Sequence, residues 1–428
     1  MKKKIYKRNF IALAVLACLL LVFTVISFNI PFTTNTFKGF AKSINTGLDF
    51  GDGTRAVYTV TKADYSKYSD EEFMDKGVEL VQKLANKKYT EANVYRVGDD
   101  QIVIEVPDTA IPQDISIGKL EIKTEASEDA ETYLNGSHIK SAKFQMNGAD
   151  YGVLITFTDE GAELIKEMTS SASESSSISI VFCLNSEYEN AMQVSTQSAV
   201  ENGYVYFTMT NKDSAKLFAN CIENSKYGIN LVQDGDSATI YSNVTTFGKV
   251  VCAVIVGLLL IGSIVYLVLR FKELGWVSSL AMVFFMLFNI ITFALMSSFR
   301  LTMGSYLGML LGYILTFFTI VILLEKIKAE FENGKKFIAS FKSGYLKALS
   351  TNVDIFAIAI IFSIICLIMT TGSVYSFALS FLINCLYGAL TSLAIMLWFT
   401  RMYLKINNTN PNKVNFRKGV DNNGKEAK

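Results

Sequence analysis

Six apolar runs, each close to the length of a helix that crosses a bilayer, constrain this chain more than any other feature. Crossing about 30 Å of hydrocarbon takes roughly 20 residues at the rise of an α-helix. The runs are Phe10 to Ile30, Val250 to Leu269, Val277 to Leu295, Leu301 to Leu324, Val353 to Thr370 and Val374 to Phe399. Only residues 296–300 separate the third from the fourth, which predicts a tight hairpin. The composition agrees, with 50% hydrophobic residues, 18% charged residues and 4 prolines in 428 positions. That is the balance of a membrane chain and not of a soluble one.

Charge gives these runs an orientation. Lys2, Lys3, Lys4, Lys7 and Arg8 precede the first run, Arg270 and Lys272 follow the second, lysines from Lys326 to Lys347 join the fourth to the fifth, and Arg401 follows the sixth. Basic residues mark the cytoplasmic side. The clusters alternate as six spans require, so both termini are expected in the cytoplasm and the segment between the first two spans outside. That segment, Pro31 to Lys249, holds 32 acidic against 19 basic residues. The first run resembles a secretory leader but is too long and lacks a small-residue cleavage site, so an uncleaved anchor is expected. The predicted organisation is a basic amino terminus at 1–9, a first span at 10–30, an extracytoplasmic domain at 31–249, five further spans at 250–402 and a cytoplasmic tail at 403–428. An amphipathic segment at 325–350 reads as two short helices on the inner membrane face, broken at Gly334, with a solvated basic side that implies no nucleic acid.

The outer segment carries mixed strand and helix signals. Arg55 to Val60 alternates as a strand, and Ser69 with Glu72 makes a capping box that opens a helix bearing Phe73, Val78, Val81 and Leu84. A hairpin follows, with strands Ala92 to Val97 and Gln101 to Val106 about Gly98-Asp99-Asp100. The second half repeats this order: a strand at Gly152 to Thr158, a helix at Asp159 to Met168, strands at Ser179 to Leu184 and Tyr204 to Met209, and a helix at Asp213 to Glu223. Split β-α-β units of this kind predict a ferredoxin-like domain. The fold class is therefore a multi-pass α-helical membrane protein of six spans with an α+β, ferredoxin-like extracytoplasmic domain.

One histidine and six cysteines give no set of about four convergent ligands, so no metal and no cofactor are expected. Nor does any nucleophile and base pair or phosphate loop stand out, which argues against an enzyme. Cys183 and Cys221 fall outside the membrane, where they either pair or remain buried thiols.

The stretch Gly47-Leu48-Asp49-Phe50-Gly51-Asp52-Gly53-Thr54, shortly after the first anchor, resembles the signature Gly-Leu-Asp-Leu-x-Gly-Gly of the SecD family. Taken alone, it also reads as a glycine-rich turn in which glycines permit positive φ. Further segments are similar to the same family: Ile102 to Pro107, which ends in Glu-x-Pro, and Leu154 to Thr169, containing Thr156-Phe157-Thr158-Asp159-Glu160-Gly161-Ala162. From Gly308 to Asp354 the family pattern can be laid down without a gap, matching Gly308, Glu325, Ile327, Glu330, Asn333, Gly334, Gly344, Ala348, Ser350, Thr351 and Asp354. Thr371-Gly372 and Phe377-Ala378 fit as well. The resemblance covers roughly residues 40 to 402. It implies a protein-export subunit of the resistance-nodulation-division superfamily in a bacterial cytoplasmic membrane, with a SecF-like six-helix protein, the SecYEG translocon and unfolded secretory polypeptides as partners.

The chain departs from the family where an ion site is implied. The fourth span of the family carries an Asp-x-Asn pair, and these positions fall on Phe318 and Ile320. The proline of the Leu-Thr-x-Pro turn before that span is replaced by Gly304. Near the membrane interior the acid left is Asp354, at the start of the fifth run, which reads either as a remnant ion or partner site or as a hydrated helix cap at the cytoplasmic edge. Gly304, Gly308 and Gly312 recur every four residues and make a face on which helix backbones approach closely, within the chain or against a partner. Three functions stay open: a Sec accessory subunit whose coupling site is lost, half of a small-molecule or lipid exporter of the same superfamily, and a membrane scaffold without coupling.

Overall fold

The computed structural model of the protein describes residues 2–29, 36–89, 91–108, 111, 117–127, 129–147, 150–184, 187–297, 299–335, 337–370 and 372–407. In chain order the first elements are α1 (Lys2–Val25), the short strands β1 (Phe28–Asn29) and β2 (Thr36–Phe37), β3 (Gly53–Lys62), α2 (Asp70–Lys88), β4 (Asn93–Val97) and β5 (Gln101–Val106). Next come β6 (Leu120–Lys123), β7 (Leu134–Asn135), β8 (Ile139–Asn147), β9 (Asp150–Phe157), α3 (Asp159–Met168), β10 (Ile178–Leu184) and β11 (Glu187–Thr196). The rest are β12 (Tyr204–Met209), α4 (Lys212–Ser225), β13 (Ile229–Gln233), β14 (Ala238–Ile240), α5 (Thr246–Leu295), α6 (Met303–Glu332), α7 (Phe337–Met369), α8 (Gly372–Ala389) and α9 (Met396–Asn407). They form two compact units. One takes 1–52, 89–91 and 241–428, and the other 53–88 and 92–240.

The second unit is built from three sheets. In one, the antiparallel order is β13-β3-β5-β4, with β14 also paired to β3. The Ser69 hydroxyl accepts the Glu72 amide at 3.4 Å and donates to the Glu72 carboxylate at 3.2 Å, which starts α2. Phe73, Val81, Leu84 and Ala85 of this helix are buried, as are Ala56 and Ile104, which face each other across β3 and β5. Gly98, at φ +66°, turns the β4–β5 hairpin. The other two sheets are β11-β10-β6-β7 and β12-β9-β8. The strand, helix and strand that the sequence presents as one split β-α-β unit, β9, α3 and β10, are thus divided between two sheets, and β6, β8, β11 and β13 supply the pairing that the sequence reading lacked. One core joins them, with Leu120, Ile122, Val153, Phe182, Phe207 and Ile222 buried in it. Thr158 and Asn211 cap α3 and α4 through side-chain oxygens that accept the first free amides.

In the first unit, five helices among the described residues are long and apolar enough to cross a membrane. The longest, α5, has 50 residues and is broken at Lys272, whose φ and ψ are 52° and −119°. A Cβ on Gly275 would stand 2.1 Å from the Leu267 carbonyl oxygen. Eight residues of straight helix separate two positions by about 12 Å, so the chain doubles back at Lys272 and only glycine fits the crossing. Val277, Ala281 and Phe284 of the returning half pack with Ala17 of α1 and with Phe399 and Met402 of α9. Leu267 and Phe271 pack instead with Ile320, Leu323 and Ile327 of α6 and Phe341 of α7.

The 325–350 segment differs from the sequence reading. Residues 325–332 continue α6, and 337–350 are the first turns of the 33-residue α7, so no separate surface helices form. Ile327, Phe331 and Phe341 are buried between helices, and an unbroken ladder spares the amides and carbonyls that two extra helix ends would leave unpaired. The break itself stays at Gly334, with φ +82°. A π-helical turn, Leu390–Ile395, joins α8 to α9. A wider turn leaves carbonyls without their usual partner, and the Tyr345 hydroxyl of α7 donates to that of Leu393.

Candidate functional site

The family-like turn at Gly47 is stitched to the entry of α6 by backbone bonds. The Gly47 amide donates to the Leu301 carbonyl at 2.9 Å and the Leu301 amide to the Asn45 carbonyl at 2.7 Å. Within the turn, the Gly51 amide donates to the Gly47 carbonyl at 2.8 Å. Neither Gly47, Gly51 nor Gly53 has positive φ. Close approach, not dihedral freedom, explains the first two: a Cβ on Gly47 would lie 2.3 Å from Glu91 Oε2, and one on Gly51 2.1 Å from Thr46 Oγ1. Gly53 opens β3 in the other unit and pairs with Ile240.

Asp49 points at the start of α6. Its Oδ2 accepts the Met303 amide at 2.7 Å, and its Oδ1 accepts Asn243 Nδ2 at 3.3 Å. Thr302 and Ser305 form a capping box beside it, so the first free amides of α6 are taken by a carboxylate and two hydroxyls. A negative charge there is favoured by the helix dipole. Leu48, Asp49 and Asp52 also bond to residues 242–244, which lead into α5.

Glu91 completes the cluster and was not singled out by sequence reasoning. It is 5% exposed. Its Oε2 accepts the Leu48 amide at 3.2 Å, and its Oε1 accepts the Ser373 hydroxyl, at the start of α8, at 3.5 Å. Burial and then the negative charge of Asp49 push its carboxyl up to about 7, against the smaller opposing effect of those two donors. The Arg300 guanidinium, just before α6, stands 6.0 Å from the centre of the Tyr89 ring. This arrangement holds a turn, two helix starts and a carboxyl that exchanges its proton near neutrality. Among the described residues no group of three or more His, Cys, Asp or Glu is placed to hold a metal ion.

The other sequence-predicted residues lie elsewhere. Phe318 is 55% exposed on the outside of α6, whereas Ile320 is fully buried in the helix core. Asp354 is exposed and sits inside α7, 17 residues after its first residue, so it caps no helix end. The glycines at 304, 308 and 312 face α8: a Cβ on them would meet Ser373 O at 2.2 Å, Ser380 Oγ at 2.2 Å and Asn384 Cβ at 2.3 Å. Gly388 answers from α8, where a Cβ would meet Thr316 Oγ1 at 2.2 Å. Gly344 of α7 crosses the backbone of Ile327, 2.5 Å from its Cα by the same measure. Glu330 is buried and pairs with Lys335 and Lys347, and accepts the Ser343 hydroxyl at 3.0 Å, which holds its carboxyl down at about 2. Thr371 lies outside the described residues.

No family model matches the chain. The chain is 22% identical over 375 residues to the protein translocase subunit SecD of Acidaminococcus fermentans, covering 84% of this chain and 85% of that one. It is 23% identical over 394 residues to SecD of Sebaldella termitidis, covering 89% and 95%. Among solved structures it resembles SecDF in a super-membrane-facing form, with a TM-score of 0.69 at 15% identity over 98% of this chain. It spans 60% of the length of that SecDF chain. The Gly47 turn, the α6 glycines and the Glu330 segment thus belong to a chain that aligns with SecD proteins over most of its length, and the chain is a divergent relative of the SecD family.

Proposed function

We propose that this chain is an accessory subunit of the Sec translocase, assisting export of unfolded polypeptides across a bacterial cytoplasmic membrane. The observation that carries this reading is the alignment with SecD proteins over 84% and 89% of the chain and over nearly the whole of the relatives. In this reading the membrane unit has six spans, because α5 supplies two, one on each side of Lys272, and both termini are cytoplasmic. The order β13-β3-β5-β4 with α2 after β3 supports a ferredoxin-like outer domain into which the other two sheets are inserted.

The chain works beside a SecF-like six-helix protein and the SecYEG channel. One relative that it matches is named SecDF, which supports a SecF-like partner. Apolar Phe318 and Ile320 cannot carry a proton, so ion coupling comes from that partner, with exposed Asp354 as a contact. This favours an export subunit over an exporter half that keeps its own intramembrane acids. The test is depletion of the protein in its host, which is expected to slow processing of secreted precursors, together with recovery of SecY and a SecF-like chain on purification. Unchanged processing and absence of both partners overturn the proposal.

A further inference from the structure

We infer that a basic groove between the start of α7 and α9 is a binding site for an anionic phospholipid. The groove encloses about 470 Å³. Its floor is Phe341, Tyr345, Leu397 and Leu404, and Lys342, Arg401 and Lys405 stand among them. Among the described residues no acid lines it.

The charge of the groove is unbalanced, unlike that of three basic residues nearby. Arg270 pairs with Glu325, and Lys335 and Lys347 pair with Glu330. Lys342 and Arg401 make no ion pair among the described residues, and Lys405 is held by the Tyr6 hydroxyl at 3.2 Å and its ring at 4.9 Å, neither of which is an anion. Three cations therefore converge on an apolar trough without a counter-charge. The lip is apolar too, with Ile338 60% and Leu346 58% exposed.

An amphiphile with a phosphate head and acyl chains answers both halves of this surface. The chains cover the floor and the lip, and the phosphate meets the cations, as basic pockets between spanning helices do for acidic lipids. A free phosphate leaves the apolar part wet. The site takes its leaflet, the cytoplasmic one, from the topology proposed above, but binding itself does not depend on that topology.

The experiment is native mass spectrometry of the full chain in detergent with equal amounts of phosphatidylglycerol and phosphatidylcholine of matched chain length. Phosphatidylglycerol is expected to be retained preferentially. The K342Q/R401Q double variant should lose about twenty-five-fold of that preference, about fivefold for each charge. K342R/R401K, which keeps both charges, should retain it, as should K326Q/K328Q, which removes charges outside the groove. A thermal melt in the same detergent separates loss of binding from loss of fold. Equal retention of the two lipids, wild-type preference in K342Q/R401Q, displacement of the lipid by inorganic phosphate, or its displacement by an acidic amphipathic helix each overturns the assignment.

Discussion

Replacing Glu91 by glutamine tests the proton-binding cluster at the Gly47 turn. The folded protein holds the Glu91 proton up to about pH 7, whereas an unfolded chain releases it near 4.5. Between these values the folded state binds more protons than the unfolded one, so stability falls as pH rises. The contribution is fully present below about 4.5 and is lost as pH rises through about 7. Its size is at most on the order of 3 kcal/mol, for a residue that is 5% exposed. Glutamine keeps the shape: its carbonyl accepts the Leu48 amide and its NH₂ donates to the Ser373 oxygen, as the protonated acid does. The assay is thermal unfolding of the detergent-solubilised chain from pH 4.5 to 8.5. Wild type should lose Tm steadily up to about pH 7 and then level, and E91Q should lack that component and be the more stable protein at pH 8. Parallel pH curves for the two proteins refute the assignment of the raised carboxyl to Glu91.

Three further outcomes follow from the same contacts. Asp49→Asn removes the charge at the α6 amide and the neighbour that opposes Glu91 ionisation, so it should cost about 0.3–1 kcal/mol and move the pH midpoint of the Glu91 component downward in the same melts. Gly308→Ala places a methyl group 2.2 Å from Ser380 Oγ and 2.5 Å from the Phe377 carbonyl, and about 1–3 kcal/mol of overpacking is expected. Gly257→Ala meets nothing within 4 Å and should leave unfolding unchanged, which makes the pair a control for each other. Glu330→Gln should lower Tm at neutral pH by releasing Lys335 and Lys347. In wild type that contribution is present above about 4.5 and is lost only as pH falls toward about 2, as a melt series in acid would show.

Local signals in this sequence were strong where one helix or one hairpin decides the outcome. The Ser69 capping box, the Gly98 turn and the α3 span from Asp159 to Met168 are readable because caps, turn glycines and helical periodicity act within a few residues. Long-range pairing carries no such signal. Besides the adjacent β8, β9 pairs with β12, about fifty residues later, and β10 turns to β6 instead of β9, so the split β-α-β order gave neighbours in sequence that are not neighbours in a sheet. Helix ends near the membrane were hard for another reason: lysines at 326–347 look like a surface segment, yet Glu330 neutralises two of them and lets α6 and α7 run on through it. Glu91 was invisible because nothing in a loop residue between a helix and a hairpin announces that residue 373 lies beside it.

The two positions where the family's polar pair would fall do not look into the same space. Ile320 is enclosed by Leu323, Leu324 and Tyr313, a setting in which an asparagine amide needs its own buried partners. Phe318 faces outward, where a lone carboxylate in hydrocarbon costs about 2.5–3.5 kcal/mol on insertion scales. An acid at 318 is therefore stable only when a second body covers it, and phenylalanine removes the charge while leaving an apolar surface for that body or for lipid. Asp354 keeps a charge on the exposed side of the neighbouring α7. The membrane unit thus packs α6 against α8 through glycines and leaves Phe318 on its outer surface, which agrees with the proposal that ion coupling comes from a partner.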